Sequence, residues 1–329
     1  MDKNIKELFT KIYHRINVQF GKLIFRTPYP PATQELKIFI DLINKKYQKL
    51  NISILNMGAR GGLSFPYIKL EKIKNLYLEG IEPDKQEALA ILKSKQNRYN
   101  KVHPFALSDK VQYKELYITR GIGCTSLLEP NLEELRYYTF SPRFEVIKKI
   151  KFPVTTLNKL YSKEERFDFI CMDVQGSEYD IINGGKMIFK NALAISFESH
   201  FFEYYKKQKL FPDLHKLCLK NGFRLIRLDL RSHDGAIGEA SNCVYIKKHT
   251  LIKNKREFLK QILFSLLWDK KEYVEFLLRN CADKFLSDME KKDIINRLKI
   301  ILKKKESPLK FAYDGIAAKD YPEGKGYLN

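Results

Sequence analysis

A β-branched run passes straight into a glycine-rich turn at Ile52-Ser53-Ile54-Leu55-Asn56-Met57-Gly58-Ala59-Arg60-Gly61-Gly62. Glycines at such a turn let the backbone approach a ligand, and a helix opening behind it presents free N–H groups to a carboxylate or phosphate. Taken alone, the turn is a weak signal, since a plain structural turn has the same residues. A second element lies 24 residues beyond Gly58, where Glu82 in Gly80-Ile81-Glu82-Pro83-Asp84 closes the next apolar run. An acidic side chain at that place accepts hydrogen bonds from both ribose hydroxyls of an adenosine ligand. Arg60 occupies the position of the second glycine of the dinucleotide fingerprint, so the turn is not shaped for a pyrophosphate. An adenosine ligand without a pyrophosphate fits better, which points to S-adenosylmethionine as the cofactor.

Further polar residues stand at the ends of later runs: Ser108 in Phe105-Ala106-Leu107-Ser108-Asp109, Asp173 in Cys171-Met172-Asp173-Val174-Gln175-Gly176-Ser177-Glu178, and Glu198 and His200 in Ser196-Phe197-Glu198-Ser199-His200. Ligands of open α/β sheets bind outside the carboxyl ends of the strands, so Asn56, Glu82, Ser108, Asp173 and Glu198 are expected along one crevice. Transfer of a methyl group to a hydroxyl needs donor and acceptor aligned and a proton removed. His200, Asp173 and Glu198 are the candidates for that work, and a histidine with an ordinary pKa of ~6.5 suits it. A structural place for His200 weighs evenly against the catalytic one. His233, in a loop between the last two expected strands, is a weaker candidate for the edge of an acceptor pocket. Glu178 is placed to cap the helix that it opens. Phe201, Phe202, Tyr204 and Tyr205 could stack on a sugar or base, or pack a helix inside the protein. No spacing of His, Cys or acidic residues argues for a metal.

Strands and helices must position these residues. Strands are expected at 52–56, 76–81, 102–106, 167–173, 193–197, 224–228 and 243–247, alternating with helical periods, the pattern of a parallel, doubly wound sheet. Residues 110–154 interrupt the alternation with one strand at 115–119 and a short helix at 131–138, an insertion placed to form a lid or substrate wall. The chain divides into an N-terminal helical extension over 1–50, an α/β domain over 51–249, a helical appendage over 250–306 and an irregular tail over 307–329. The extension holds an apolar and a basic helix face, a Pro-rich break at 27–31, and a second helix over 33–49.

The ordered set of G-A-x-x-G turn, E-P, A-L-S-D, G-x-x-S-L, T-L, D-V-Q-G-x-E and a late N-G-F resembles the FkbM-type methyltransferase family over about 52–248. Gly58-Ala59-Arg60-Gly61-Gly62 looks like the subgroup that writes its first motif as G-A-R-G-G. The resemblance implies a Rossmann-like class I sheet and S-adenosylmethionine held by Asn56, Gly58, Ala59, Gly62, Glu82, Pro83, Leu107, Ser108 and Asp173. It favours Asp173 as the acceptor that orients the cofactor's amino group. It also implies O-methylation of a sugar, glycan or other polyhydroxylated acceptor, as in polysaccharide biosynthesis. Two positions depart from the family pattern. Asn56 stands where an Asp is usual, which removes a charge facing the cationic cofactor. Cys171 stands where a Lys is often found, and a cysteine in a buried strand is a core residue rather than a nucleophile.

The 60 Lys and Arg against 39 Asp and Glu give a formal charge of +21, which suits an anionic partner or reflects lysines scattered along the whole chain. The tight run Lys303-Lys304-Lys305 suits a helix C-terminus and is no nucleic-acid motif. Nucleic acid is not an expected partner, whereas the basic N-terminal helix could touch a membrane surface. Five scattered cysteines without a C-x-x-C pair, and no apolar run of spanning length, give a cytoplasmic expectation. The competing functions are a nucleic-acid methyltransferase and a catalytically silent cofactor-binding protein.

Overall fold

Continuous apolar runs such as Phe169–Met172 place a strand between two layers of helices, and that is how this chain folds. The computed structural model describes residues 33–300 apart from 65, 95–97, 163 and 232–239. The basic N-terminal helix, the Pro-rich break, the run at 303–305, the tail and His233 lie outside the described residues.

Helix α1 (Gln34–Lys46) leads to β1 (Ile52–Met57), β2 (Leu76–Ile81), α2 (Lys85–Lys93), β3 (Lys101–His103), β4 (Ala106–Leu107) and β5 (Gln112–Thr119). Next come α3 (Leu132–Leu135), β6 (Val146–Thr155), α4 (Leu157–Leu160), β7 (Phe169–Met172), α5 (Glu178–Gly184) and α6 (Lys186–Asn191). The chain continues with β8 (Ala194–His200), α7 (Phe211–Lys220), β9 (Phe223–Arg231), β10 (Ala240–Lys247), α8 (Lys255–Leu267), α9 (Lys271–Asn280) and α10 (Asp288–Leu298).

Among the described residues the main sheet has seven strands in the order β3-β2-β1-β7-β8-β10-β9. β3, β2, β1, β7 and β8 run parallel, and β10 is antiparallel to both β8 and β9. The order reverses between β1 and β7, the switch point where a crevice opens at the carboxyl ends. Ile52, Ile54, Leu78, Phe169 and Val244 point to one face and share a core with α1, α8, α9 and α10. Leu55, Met57, Ile170, Phe197 and Tyr245 point to the other, against Leu157, Ile181, Ile188 and Leu214 of α4 to α7. The ends of the outer helices are capped: Thr33 accepts from Leu36 N–H, and Ser287 with Glu290 forms a capping box. None of the described helices is long and apolar enough to cross a membrane.

The insertion holds more strand than its sequence suggests. β4, β6 and β5 form a second sheet, β6 parallel to β4 and antiparallel to β5. β6 escaped the reading because Lys148, Lys149 and Lys151 alternate with its apolar residues and Pro153 interrupts it. Its apolar face is Ile150, Phe152 and Val154, matched across the pair by Leu116 opposite Ile150. The short helix is a single turn at α3.

Candidate active site

β1 ends where its chain must turn beneath the end of β7. Gly58 adopts φ +74°, and a Cβ there would lie 2.0 Å from the carbonyl oxygen of Asp173. Only glycine fits. Gly58 and Ala59 both donate to the carbonyl of Ile81, at 2.9 and 3.1 Å, and Asp173 N–H donates to Met57 O at 2.9 Å. The three strand ends are therefore tied together by backbone alone.

Arg60 latches this turn to the end of β2. Its guanidinium lies 3.0 Å from Asp84, 3.4 Å from Glu82 and 3.6 Å from Glu87. Gly61 N–H donates to Glu87 at 3.2 Å. The residue that excluded a pyrophosphate from the sequence pattern thus has a role that the pattern did not disclose, and the facing acidic run Glu82, Asp84 and Glu87 was its signal.

Glu82 is buried, and burial pushes its carboxyl up, partly offset by the Asp84 N–H and by Arg60. Oε1 accepts from Asp84 N–H at 3.0 Å. Oε2 has no hydrogen-bond partner among the described residues. A carboxylate that lines a cleft with one oxygen free of protein partners is what a ribose diol would satisfy, so this residue fits the adenosine ligand expected from the sequence.

The cleft has a volume of about 440 Å³. Gly58, Arg60, Glu82, Asp84 and Asp173 form its polar end, and Phe105, Leu107 and Pro83 lie beside them. Leu116, Ile118, Ile122, Ile150 and Phe152 of the insertion form an apolar wall. Of the expected site residues, Gly58, Glu82, Pro83, Leu107 and Asp173 line this cleft.

The others do not. Asn56 lies on the opposite face of β1 from Leu55 and Met57, where its Nδ2 donates to Tyr99 Oη at 2.5 Å and its Oδ1 is 3.2 Å from Cys171 Sγ. Cys171 is buried, and burial pushes its thiol up, as for a core residue. Ala59 is covered by the strand ends, and Gly62, at φ +87°, closes the turn on Ala59 O at 2.8 Å. Ser108 is buried because α5 presses on it: a Cβ on Gly184 would lie 2.3 Å from Ser108 O. Glu198 is half-buried on β8 and is not among the residues of the cleft. His200 is 3% exposed, its Nδ1 is 2.8 Å from Gln208 Nε2, and its ring centroid is 4.0 Å from that of Tyr204. Of Asn56, Glu82, Ser108, Asp173 and Glu198, expected along one crevice, Glu82 and Asp173 line the cleft, whereas Asn56 points to the other face of β1 and Ser108 is covered by α5.

The loop after β7 supplies two features. Gln175 Nε2 donates to Asp173 Oδ1 at 2.6 Å, and Gln175 Oε1 lies 2.9 Å from Tyr205 Oη. Beneath the loop, Glu178 accepts from Val174 N–H at 3.3 Å, and burial, with Asp173 and Glu198 nearby, pushes its carboxyl up to about 8. Its capping role is carried out toward the loop rather than toward the helix interior.

A parallel-dominated sheet with a switch-point crevice, a glycine at the first turn and a buried acidic residue at the end of the second strand defines a Rossmann-like architecture. The family model described as Methyltransferase FkbM domain matches residues 56–225, more than half of the chain. The chain belongs to the FkbM methyltransferase family, whose methyl donor is S-adenosylmethionine. Among solved structures, the magnesium protoporphyrin IX methyltransferase of Synechocystis PCC 6803 with bound SAM is similar at 11% identity, covering 72% of this chain and 96% of that one at TM-score 0.33. Human Methyltransferase-like protein 13 in complex with SAH is similar at 12% identity, covering 71% and 89% at TM-score 0.32. No curated protein matches the chain.

Proposed function

We propose that this enzyme transfers the methyl group of S-adenosylmethionine to a hydroxyl of a sugar, glycan or similar polyhydroxylated acceptor. The observation that carries the reading is one cleft in which the polar end of Glu82 and Asp173 faces the apolar wall of Leu116, Ile118, Ile150 and Phe152. Glu82 would hold the ribose, Pro83 and Leu107 would flank the adenine, and Asp173 would accept from the amino group of the methionine part. The bound cofactor supplies an electrophilic methyl group. The wall suits the C–H face of a ring and keeps water from the reacting oxygen.

Incubation with methyl-labelled cofactor and separate pools of nucleotide sugars, oligosaccharides and RNA tests this reading. Label in the carbohydrate pool that survives alkali is expected, since an ether resists it and an ester does not. Label confined to RNA would transfer the enzyme to the nucleic-acid class.

A further inference from the structure

Gln175 stands at φ +54°, a left-handed conformation that a side chain bearing a Cβ seldom adopts. Contacts from two other parts of the chain hold it there. Ser126 Oγ, in the insertion, donates to the Gln175 carbonyl at 2.6 Å, and Tyr205 Oη lies 2.9 Å from both Gln175 Oε1 and the Cys124 carbonyl. Tyr205 has a single hydroxyl hydrogen, shared between these two oxygens, and the Asp173 carboxylate only accepts, which fixes which end of the amide is which. Nε2 faces Asp173 Oδ1, and Oε1 is left to accept from the Tyr205 hydroxyl, which holds the amide in place. The fit is close on the other side as well, since a Cβ on Gly176 would come within 3.1 Å of the Tyr205 ring. The glycine of the D-V-Q-G-x-E motif therefore admits the aromatic ring that orients its glutamine.

We infer that Tyr205 is a positioning residue: through Gln175 it sets the Asp173 carboxylate toward the cofactor's amino group and locks the insertion to the loop after β7. The inference rests on the reading that Asp173 accepts from that amino group. Phe201, Phe202 and Tyr204 surround Tyr205 in sequence, but only Tyr205 places a hydroxyl between the insertion and Gln175 among the described contacts.

Two ligands separate positioning from general support. S-adenosylhomocysteine carries the amino group, and methylthioadenosine shares its adenosine and sulfur but lacks it. In Tyr205→Phe, affinity for S-adenosylhomocysteine measured by calorimetry is expected to fall about three- to tenfold, with that for methylthioadenosine unchanged. Ser126→Ala should show the same selectivity with a smaller loss. Equal losses for both ligands, or no loss for either, would overturn the inference. If Tyr205→Phe does not fold, Gln175→Leu on the half-buried Gln175 carries the same comparison. A wild-type chain that binds methylthioadenosine and S-adenosylhomocysteine equally removes the amino-group role of Asp173 and this inference together, whereas binding of neither overturns the cofactor reading itself.

Discussion

Across the cleft, two regions enclose the same space by different means. Gly58, Arg60 and Glu82 are held by backbone hydrogen bonds between strand ends and by one guanidinium that spans three carboxylates. Leu116, Ile118, Ile150 and Phe152 are held by the alternation of a two-strand pair whose other face carries Lys149 and Lys151. The first arrangement admits almost no substitution, because atoms already touch. The second fixes only which face is apolar, so the shape of the wall can change while the fold persists. On the proposed function, the first side holds the cofactor and the second faces the acceptor, and these two tasks call for two degrees of constraint.

Glycines at the two sides give the sharpest contrast. Gly58→Ala forces a left-handed residue and a clash with the Asp173 carbonyl, and a loss of more than about 3 kcal/mol in stability is expected. Gly123→Ala, in the insertion, meets nothing within 4 Å, so its melting point should stay within the effect of about 0.5 kcal/mol. Similar losses at both positions would erase the distinction.

The pH dependence of stability reports how the loop of the polar end is anchored. The folded-state pKa of Glu178 is raised from 4.5 to about 8, so the folded chain holds a proton that the unfolded chain releases. Stability from this group is present at low pH and is lost as pH rises between those values, by at most about 1.4 kcal/mol per unit. Glu79 has the opposite sign. Burial pushes it up, but His103, Tyr77 and Tyr161 together outweigh that and bring it down to about 2, so its contribution is lost below pH 4.5. Glu178→Gln should flatten the alkaline limb of denaturation midpoints and leave the acid limb in place. An unchanged alkaline limb would show that Glu178 is ionised in the fold.

Removal of the Glu82 carboxylate is expected to affect binding more than folding. Glu82→Ala is expected to weaken S-adenosylmethionine by about 1.5–3 kcal/mol, the range for a hydrogen bond to a charged group. Calorimetry on a folded variant with wild-type affinity would place the ribose elsewhere. Ile118→Ala, on the apolar wall, should leave cofactor affinity within about 0.5 kcal/mol.

The strand ends of the cofactor side were legible because their residues are near in sequence and their glycines and acids recur at strand boundaries. Glu82 and Gly58 could be read from 24 residues of chain. The roles of Arg60 and Tyr205 could not, since each depends on side-chain reach across elements that only folding brings together. β6 was hidden for a different reason: lysines on its exposed face dilute the apolar run that marks a buried strand. The position of His200 at a strand end says which edge it occupies but not that Gln208 and Tyr204 pack against it.

A small effect on cofactor affinity is expected at Asn56, and it tests whether family position or local packing decides a residue's role. The family usually has an aspartate there, which would suggest that Asn56→Asp strengthens binding of a cationic cofactor. Here the side chain lies behind β1, between Tyr99 and Cys171, both of which carry a hydrogen that they can donate. A carboxylate would accept from the Tyr99 hydroxyl and from the Cys171 thiol, so the buried charge is partly compensated, and stability should change by only about 1 kcal/mol. Cofactor affinity should change by less than about 0.5 kcal/mol, because the new charge does not face the cleft. A clear gain in affinity for S-adenosylmethionine but not for the uncharged S-adenosylhomocysteine sulfur would mean that position 56 senses the sulfonium through the strand, and that the polar end extends deeper than its lining residues.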